Sequence, residues 1–197
     1  MTTRTLAILI FNEVEILDFC GPFEVFSVAN CFNDKPAFNV LTVAENTGPV
    51  KTRGGLSVNP HYWLADCPRP DLLLVPGGQG TRQEMHNSNI IDWIRTASNQ
   101  AEMVLSFCTG TLLLAKAGLL DGLEATTHHG AIELLRKTAP KTTIHADRRF
   151  VDNGRVICSA GIAAGIDMSL HVVGKLLGQE VAEKTATQME YPFVYGT

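Results

Sequence analysis

The sequence predicts an α/β protein, a three-layer sandwich in which a mostly parallel sheet carries helices on both faces. Three observations predict it. Short β-rich runs alternate with helical runs along the chain, the grammar of βαβ units. Runs such as DLLLV (71–75) and MVLSF (103–107) are apolar at nearly every position, as strands covered on both faces must be. The 197 residues are 45% hydrophobic and 18% charged, which suits one domain with a sizeable core, so the whole of 1–197 reads as a single domain.

Taken in order, TLAILIF (5–11) reads as the first strand and GPFEVFSVAN (21–30) as the first helix. AFNVLTVAE (37–45) and DLLLV follow as strands, then NIIDWIRTASNQ (89–100) as a helix. EMVLSF (102–107) leads into the helical TGTLLLAKAGLL (109–120), and ATTHHG (125–130) into IELLRKT (132–138). VKTRGGLSVNP (50–60) and DRRFVDNGRVICSAG (147–161) place GG and NG between alternating residues, the signal of hairpins or short edge strands. The last third, 161–189, reads as two helices broken near Gly178. No linker, low-complexity stretch or repeat interrupts the pattern.

Composition excludes several function classes. Sixteen basic against twenty acidic residues give a charge of -4, with no basic stripe, so nucleic acid is not an expected partner. The early apolar run LAILIF (6–11) is too short for a membrane span or a secretory segment, which points to a cytoplasmic protein that does not engage a membrane. Five widely spaced cysteines without a CxxC pair read as free thiols. Neither HExxH nor paired CxxC occurs, and adjacent His128 and His129 normally diverge, so no metal is expected. VPGGQG (75–80) lacks the third glycine of a dinucleotide fingerprint, and no GKS or GKT occurs, so no nucleotide cofactor is expected either.

The chemistry concentrates at the carboxyl ends of the expected strands, where open α/β sheets bind ligands. Cys108 lies where MVLSF meets the next helix, and small Thr109 and Gly110 permit the sharp turn of a nucleophile elbow, with the helix start favouring a thiolate; the alternative is a small buried hydrophobe. Gly77 and Gly78 end the DLLLV strand at the same edge and are candidates for an oxyanion hole. Asp18, flanked by Ile16, Leu17 and Phe19, has two readings: an acid whose pKa is raised by desolvation and a neighbouring thiolate, or the N-cap of the first helix. Glu15 and Glu24 compete with it. His128 is the histidine best placed to join the thiol, with ATTHHG as a further short strand ending at the active edge. His171 is assigned to a helix flank and His61, His86 and His145 to loops. Cys31, Cys67 and Cys158 read as small buried hydrophobes, and Cys20 as a packed core residue or a second thiol near the site.

Together, EILDFCGPFEVF, the VPGG turn, SFCTGTLLLAKAGLLDG, TTHHG and AGIAAGIDMSL resemble the ThiJ/PfpI superfamily of class I glutamine amidotransferase-like proteins, with a flavodoxin-like sheet. Within it, L-D-x-x-G-P, C-T-G, A-T-T-H and G-I-x-A-G-I-D are similar to the isocyanide (isonitrile) hydratase branch. The resemblance implies a nucleophilic Cys108, Asp18 as catalytic acid, and Thr109 as the threonine after the nucleophile. It further implies a small-molecule isocyanide substrate hydrated to a formamide, no cofactor, and a homodimer. Two departures bear on substrate. Thr109 stands where PfpI-type peptidases carry histidine, which speaks against a peptidase, and Cys20 stands where the hydratases carry threonine. The alternatives are a stand-alone redox- or ligand-sensing or chaperone-like protein, and a glyoxalase-like enzyme acting on small dicarbonyls. The end at EYPFVYGT, without a helix-turn-helix pattern, speaks against a self-contained regulator.

Overall fold

The computed structural model describes residues 2–193; the last four residues of EYPFVYGT lie outside them. In chain order the elements are β1 (Arg4–Leu9), α1 (Ile16–Ala29), β2 (Phe38–Ala44), β3 (Val50–Lys51), β4 (Ser57–Val58), β5 (Tyr62–Trp63), β6 (Leu72–Val75), α2 (Thr81–Glu84), α3 (Ser88–Gln100) and β7 (Met103–Ser106). Then follow α4 (Thr111–Lys116), β8 (Glu124–Ala125), α5 (Ile132–Thr138), β9 (Thr143–Ile144), β10 (Phe150–Asp152), β11 (Val156–Ser159), α6 (Ala164–Leu177) and α7 (Gln179–Gln188).

Seven strands form the central sheet in the order β10-β11-β7-β6-β1-β2-β5. All pairings are parallel except β10 with β11. Because β2 lies on one side of β1 and β6 on the other, the chain reverses its direction of winding at the β1–β6 boundary. That boundary is a topological switch point, and the crevice beyond its carboxyl ends is where such sheets accept ligands. The apolar runs account for the core: Leu72, Leu73 and Leu74 are all fully buried, each contributing roughly 1.5–3 kcal/mol by leaving water.

Helices cover both faces in two groups, α1 with α6 and α7, and α3 and α5 each against α4. Helix α3 shows why: Ile90, Ile91, Ile94 and Ala97 form its buried stripe, and the Asn87 side chain caps it by accepting from the Asn89 N–H at 3.1 Å. The GG segment forms the β3–β4 hairpin and the NG segment the β10–β11 hairpin, while Gly178, at φ 96°, separates α6 from α7.

Three expectations are corrected. The ATTHHG segment does not reach the central sheet: its strand is β8, paired with β9 in a separate two-stranded sheet. Cys20 is exposed rather than packed, because α1 turns Asp18, Phe19, Pro22 and Phe26 inward and leaves positions 17, 20 and 24 on the opposite face. Cys31 is exposed in the turn after α1 and Cys67 half-buried, so only Cys158, on β11, is the buried hydrophobe that all three were taken for.

Candidate active site

Three strand ends at or beside the switch point supply the site. The loop after β1 enters α1, whose first turn carries Asp18; β6 leads into Gly77 and Gly78; β7 leads through Phe107 into Cys108. Cys108 holds φ 51°, a left-handed conformation that costs a non-glycine residue of order 1–3 kcal/mol and survives only where its surroundings enforce it. They do so here. Its N–H donates to the Ala160 carbonyl at 3.2 Å, its own carbonyl accepts from Thr127 Oγ1 at 2.6 Å, and the Gly110 N–H closes the turn on Phe107 O at 2.7 Å.

Asp18 is fully buried and is not the N-cap of α1, a position held by Glu15. Its Oδ2 accepts from the Gly77 N–H at 3.0 Å, and its Oδ1 has no hydrogen-bond partner among the described residues. Burial drives its pKa from 3.8 to about 7, with Glu15 adding like-charge repulsion, against the lowering effect of the Gly77 N–H and the Cys108 thiol. The thiol is displaced in the same sense: burial first and Asp18 second push Cys108 from 9.0 to about 12, outweighing the Ile162 and Thr109 N–H groups that face it. The thiolate expected from a helix start is therefore not the resting form. Helix α4 has only six residues and begins after a 3-10 turn over Cys108–Gly110, and desolvation of a buried charge outweighs so short a dipole.

Thr109 is buried, with its hydroxyl 3.0 Å from the Gly78 N, 3.1 Å from Gly78 O and 3.1 Å from Thr81 Oγ1. The N–H groups of Gly77 and Gly78 thus already have acceptors, Asp18 and Thr109. The absence of a side chain at Gly77 matters for a different reason: a Cβ there would sit 2.6 Å from Thr109 N and 2.8 Å from Asp18 Oδ2.

A pocket of about 160 Å³ opens over the thiol, lined by Cys108, Thr109, Gly78, His128, Glu15 and Arg82 among others. His128 faces this pocket. Its Nδ1 accepts from the Gly130 N–H at 3.1 Å, which leaves the proton on Nε2, and burial followed by the charges around it lowers its pKa, so the imidazole is neutral. No hydrogen bond joins it to Cys108 among the described residues. Of the competing acids, Glu15 lines the pocket and pairs with Arg53 at 3.4 Å, whereas Glu24 is exposed. His171 lies on α6 and bonds Asp152.

Sequence reasoning missed Ile162, Arg53, Arg82 and Thr127. Ile162 combines φ 27° with a β-branched side chain and an N–H facing the thiol; its only sequence signal was its place in the AGIAAGID motif. Among the described residues, no group of three or more His, Cys, Asp or Glu side chains converges to hold a metal, and no helix is long and apolar enough to cross a membrane.

The chain as a whole is similar to several known proteins. The chain is 36% identical over 186 residues to an isonitrile hydratase of Pseudomonas putida, spanning 94% of this chain and 78% of that protein. It is 30% identical over 181 residues to the HTH-type transcriptional regulator CdhR of Pseudomonas aeruginosa, covering 91% of this chain but only 53% of the regulator. Among solved structures, a THiJ/PfpI family protein from Pseudomonas syringae superposes with a TM-score of 0.88 at 28% identity, covering 100% of this chain and 80% of that one. DJ-1beta of Drosophila melanogaster does so with 0.82 at 20% identity, covering 97% and 100%. The DJ-1/PfpI family pattern itself matches residues 4–175, a span that contains every element of the site, and the chain belongs to that family.

Proposed function

We propose that this protein is a cysteine-dependent isocyanide hydratase, adding water to R–NC to give an N-substituted formamide. The observation that carries the reading is the buried pair, Cys108 on the elbow and Asp18 at its sulfur, in a chain 36% identical to an isonitrile hydratase. With the thiol near 12 and Asp18 near 7, the thiol proton leaves only as the sulfur attacks, and the half-ionised carboxylate is the group positioned to take it.

In the first step an S–C bond forms to the terminal carbon of R–NC, the S–H bond breaks, and Asp18 carries that proton to the same carbon, leaving the thioimidate R–N=CH–S–Cys108. Water then adds to the C=N bond, one proton going to nitrogen. The C–S bond breaks as the carbonyl forms, and Asp18 returns the remaining proton to the sulfur. The Ile162 and Thr109 N–H groups stabilise charge developing at sulfur, and the Thr109 hydroxyl holds the Gly77–Gly78 turn against the site. The cycle requires neither metal nor organic cofactor. We further propose a homodimer, as the family resemblance implies, and a cytoplasmic location, as the short apolar runs suggest.

The test is formamide production from aliphatic and aromatic isocyanides by the wild type and Cys108→Ala, followed by mass. Turnover lost by at least about a thousandfold in the variant is expected for loss of a covalent nucleophile; turnover that survives sinks the reading. The similarity to the transcriptional regulator CdhR favours one alternative, a redox- or ligand-sensing protein, and the redox form of it is tested at the thiol. Such a sensor would form a reversible sulfenic acid or disulfide at Cys108 under mild peroxide without turning over any isocyanide.

A further inference from the structure

The pocket above Cys108 carries three charged side chains, Glu15, Arg53 and Arg82. Arg53 is engaged by Glu15 at 3.4 Å. Arg82 is not matched by any carboxylate among the described residues. Its Nη1 donates to Gly78 O at 3.2 Å and lies 3.1 Å from Thr81 Oγ1, while Nε and Nη2 have no hydrogen-bond partner among the described residues. The half-buried side chain is thus anchored by one nitrogen to the same glycine turn that backs the nucleophile. Both guanidiniums act electrostatically on His128, which faces the same space and is itself neutral. The pocket mouth therefore holds two positive charges against one negative, with an unpaired planar donor fork, in a protein whose net charge is -4. A guanidinium fork of this kind matches a carboxylate bidentately. A volume of about 160 Å³ leaves room for only a short arm between that carboxylate and the reacting atom.

We propose that Arg82 is a specificity-determining residue that selects small substrates bearing a carboxylate close to the carbon attacked by Cys108. Resting on the hydratase reading, this assigns the preferred substrate class as short isocyano-carboxylates rather than neutral isocyanides. The carboxylate docks on Nε and Nη2 of Arg82, which places the isocyanide carbon over the sulfur.

Two measurements separate this inference from the activity it rests on. The first needs no turnover: the relative rates at which iodoacetate and iodoacetamide alkylate Cys108, read by mass on the peptide that contains it. The exposed Cys20 of the same chain serves as internal reference. An iodoacetate preference at Cys108 about tenfold above that at Cys20 is expected from one charge-assisted pair. It should collapse in Arg82→Gln and be partly retained in Arg82→Lys, which keeps the charge but loses the fork. Equal ratios at the two cysteines, unmoved by Arg82→Gln, overturn the proposal. The second is the kcat/KM ratio of isocyanoacetate to its methyl ester, expected to favour the acid and to fall about tenfold in Arg82→Gln. If neither isocyanide is turned over but the alkylation preference holds, the hydratase reading fails and the carboxylate selectivity stands. If both are turned over with no acid preference and no effect of Arg82→Gln on the ratio, the selectivity fails and the hydratase reading stands.

Discussion

Asp18 and Cys108 define each other. The carboxylate is one cause of the high thiol pKa, and the thiol is one of the groups that eases the carboxyl downward. Replacing Asp18 by Asn removes the charge while keeping an oxygen to accept from the Gly77 N–H. Both contributions of Asp18 to the Cys108 pKa are upward, so the pH midpoint for iodoacetamide alkylation of Cys108 should move below that of the wild type. Formamide formation should move the other way, falling on the order of a hundredfold or more with loss of the proton carrier. A thiol that becomes more reactive in an enzyme that becomes slower separates proton relay from simple nucleophile activation. A midpoint that stays or rises would show that the two groups do not sense each other. The sequence could suggest this pair but not the balance within it. Ile16, Leu17 and Phe19 around Asp18 signalled desolvation, whereas the depth that also raises the thiol depends on side chains far away in the chain.

At the scale of elements, the elbow is held by hydroxyls rather than by a long helix. Thr111 Oγ1 lies 2.9 Å from Ser106 Oγ and 3.0 Å from the Thr126 carbonyl, and the Cys158 thiol of β11 sits against the same two hydroxyls. This buried cluster ties β7, α4, β11 and the segment after β8 together around Cys108. Thr111→Val preserves volume but leaves the Ser106 hydroxyl and the Thr126 carbonyl with a lost partner. The expected cost is about 1–3 kcal/mol, seen as a lower urea midpoint at unchanged m-value. An unshifted midpoint would mean that the cluster contributes nothing to holding the elbow. Here the sequence was legible only in part. The strand-to-helix hinge and its small residues were visible in SFCTG. The roles of Ser106, Thr111 and Thr127 were not, because short hydroxyl side chains leave no periodic signal and their partners are set by tertiary approach. For the same reason the ATTHHG strand was expected to end at the active edge of the main sheet, whereas β8 pairs with β9 instead and His128, just beyond it, lines the pocket.

At the scale of the whole molecule, the mostly parallel sheet covered by helices was legible in the alternation of buried strands and helices, whereas the strand order, set by which strands meet in space, was not. What escaped was the electrostatics of the mouth, since Arg53 and Arg82 lie in a hairpin and a short helix without a motif. The raised acid also has a consequence for global stability. Folding moves Asp18 from 3.8 to about 7, so between those values the folded chain retains a proton that the unfolded chain has released. The stability held by protonated Asp18 is therefore fully present below the unfolded value and is lost as pH rises through the folded one. Asn at position 18 cannot titrate. Relative to wild type, the unfolding free energy of Asp18→Asn should accordingly improve by an amount on the order of 4 kcal/mol between about pH 4 and about pH 8. The gain should flatten above that, whatever the absolute cost of the substitution. Urea unfolding of both proteins across this range measures it, and parallel curves would mean that Asp18 ionises in the folded protein as readily as in the unfolded chain. That result would also make Asp18 a weaker acceptor for the thiol proton than the catalytic cycle asks, because a carboxylate of ordinary pKa competes poorly for a proton held by a thiol near 12.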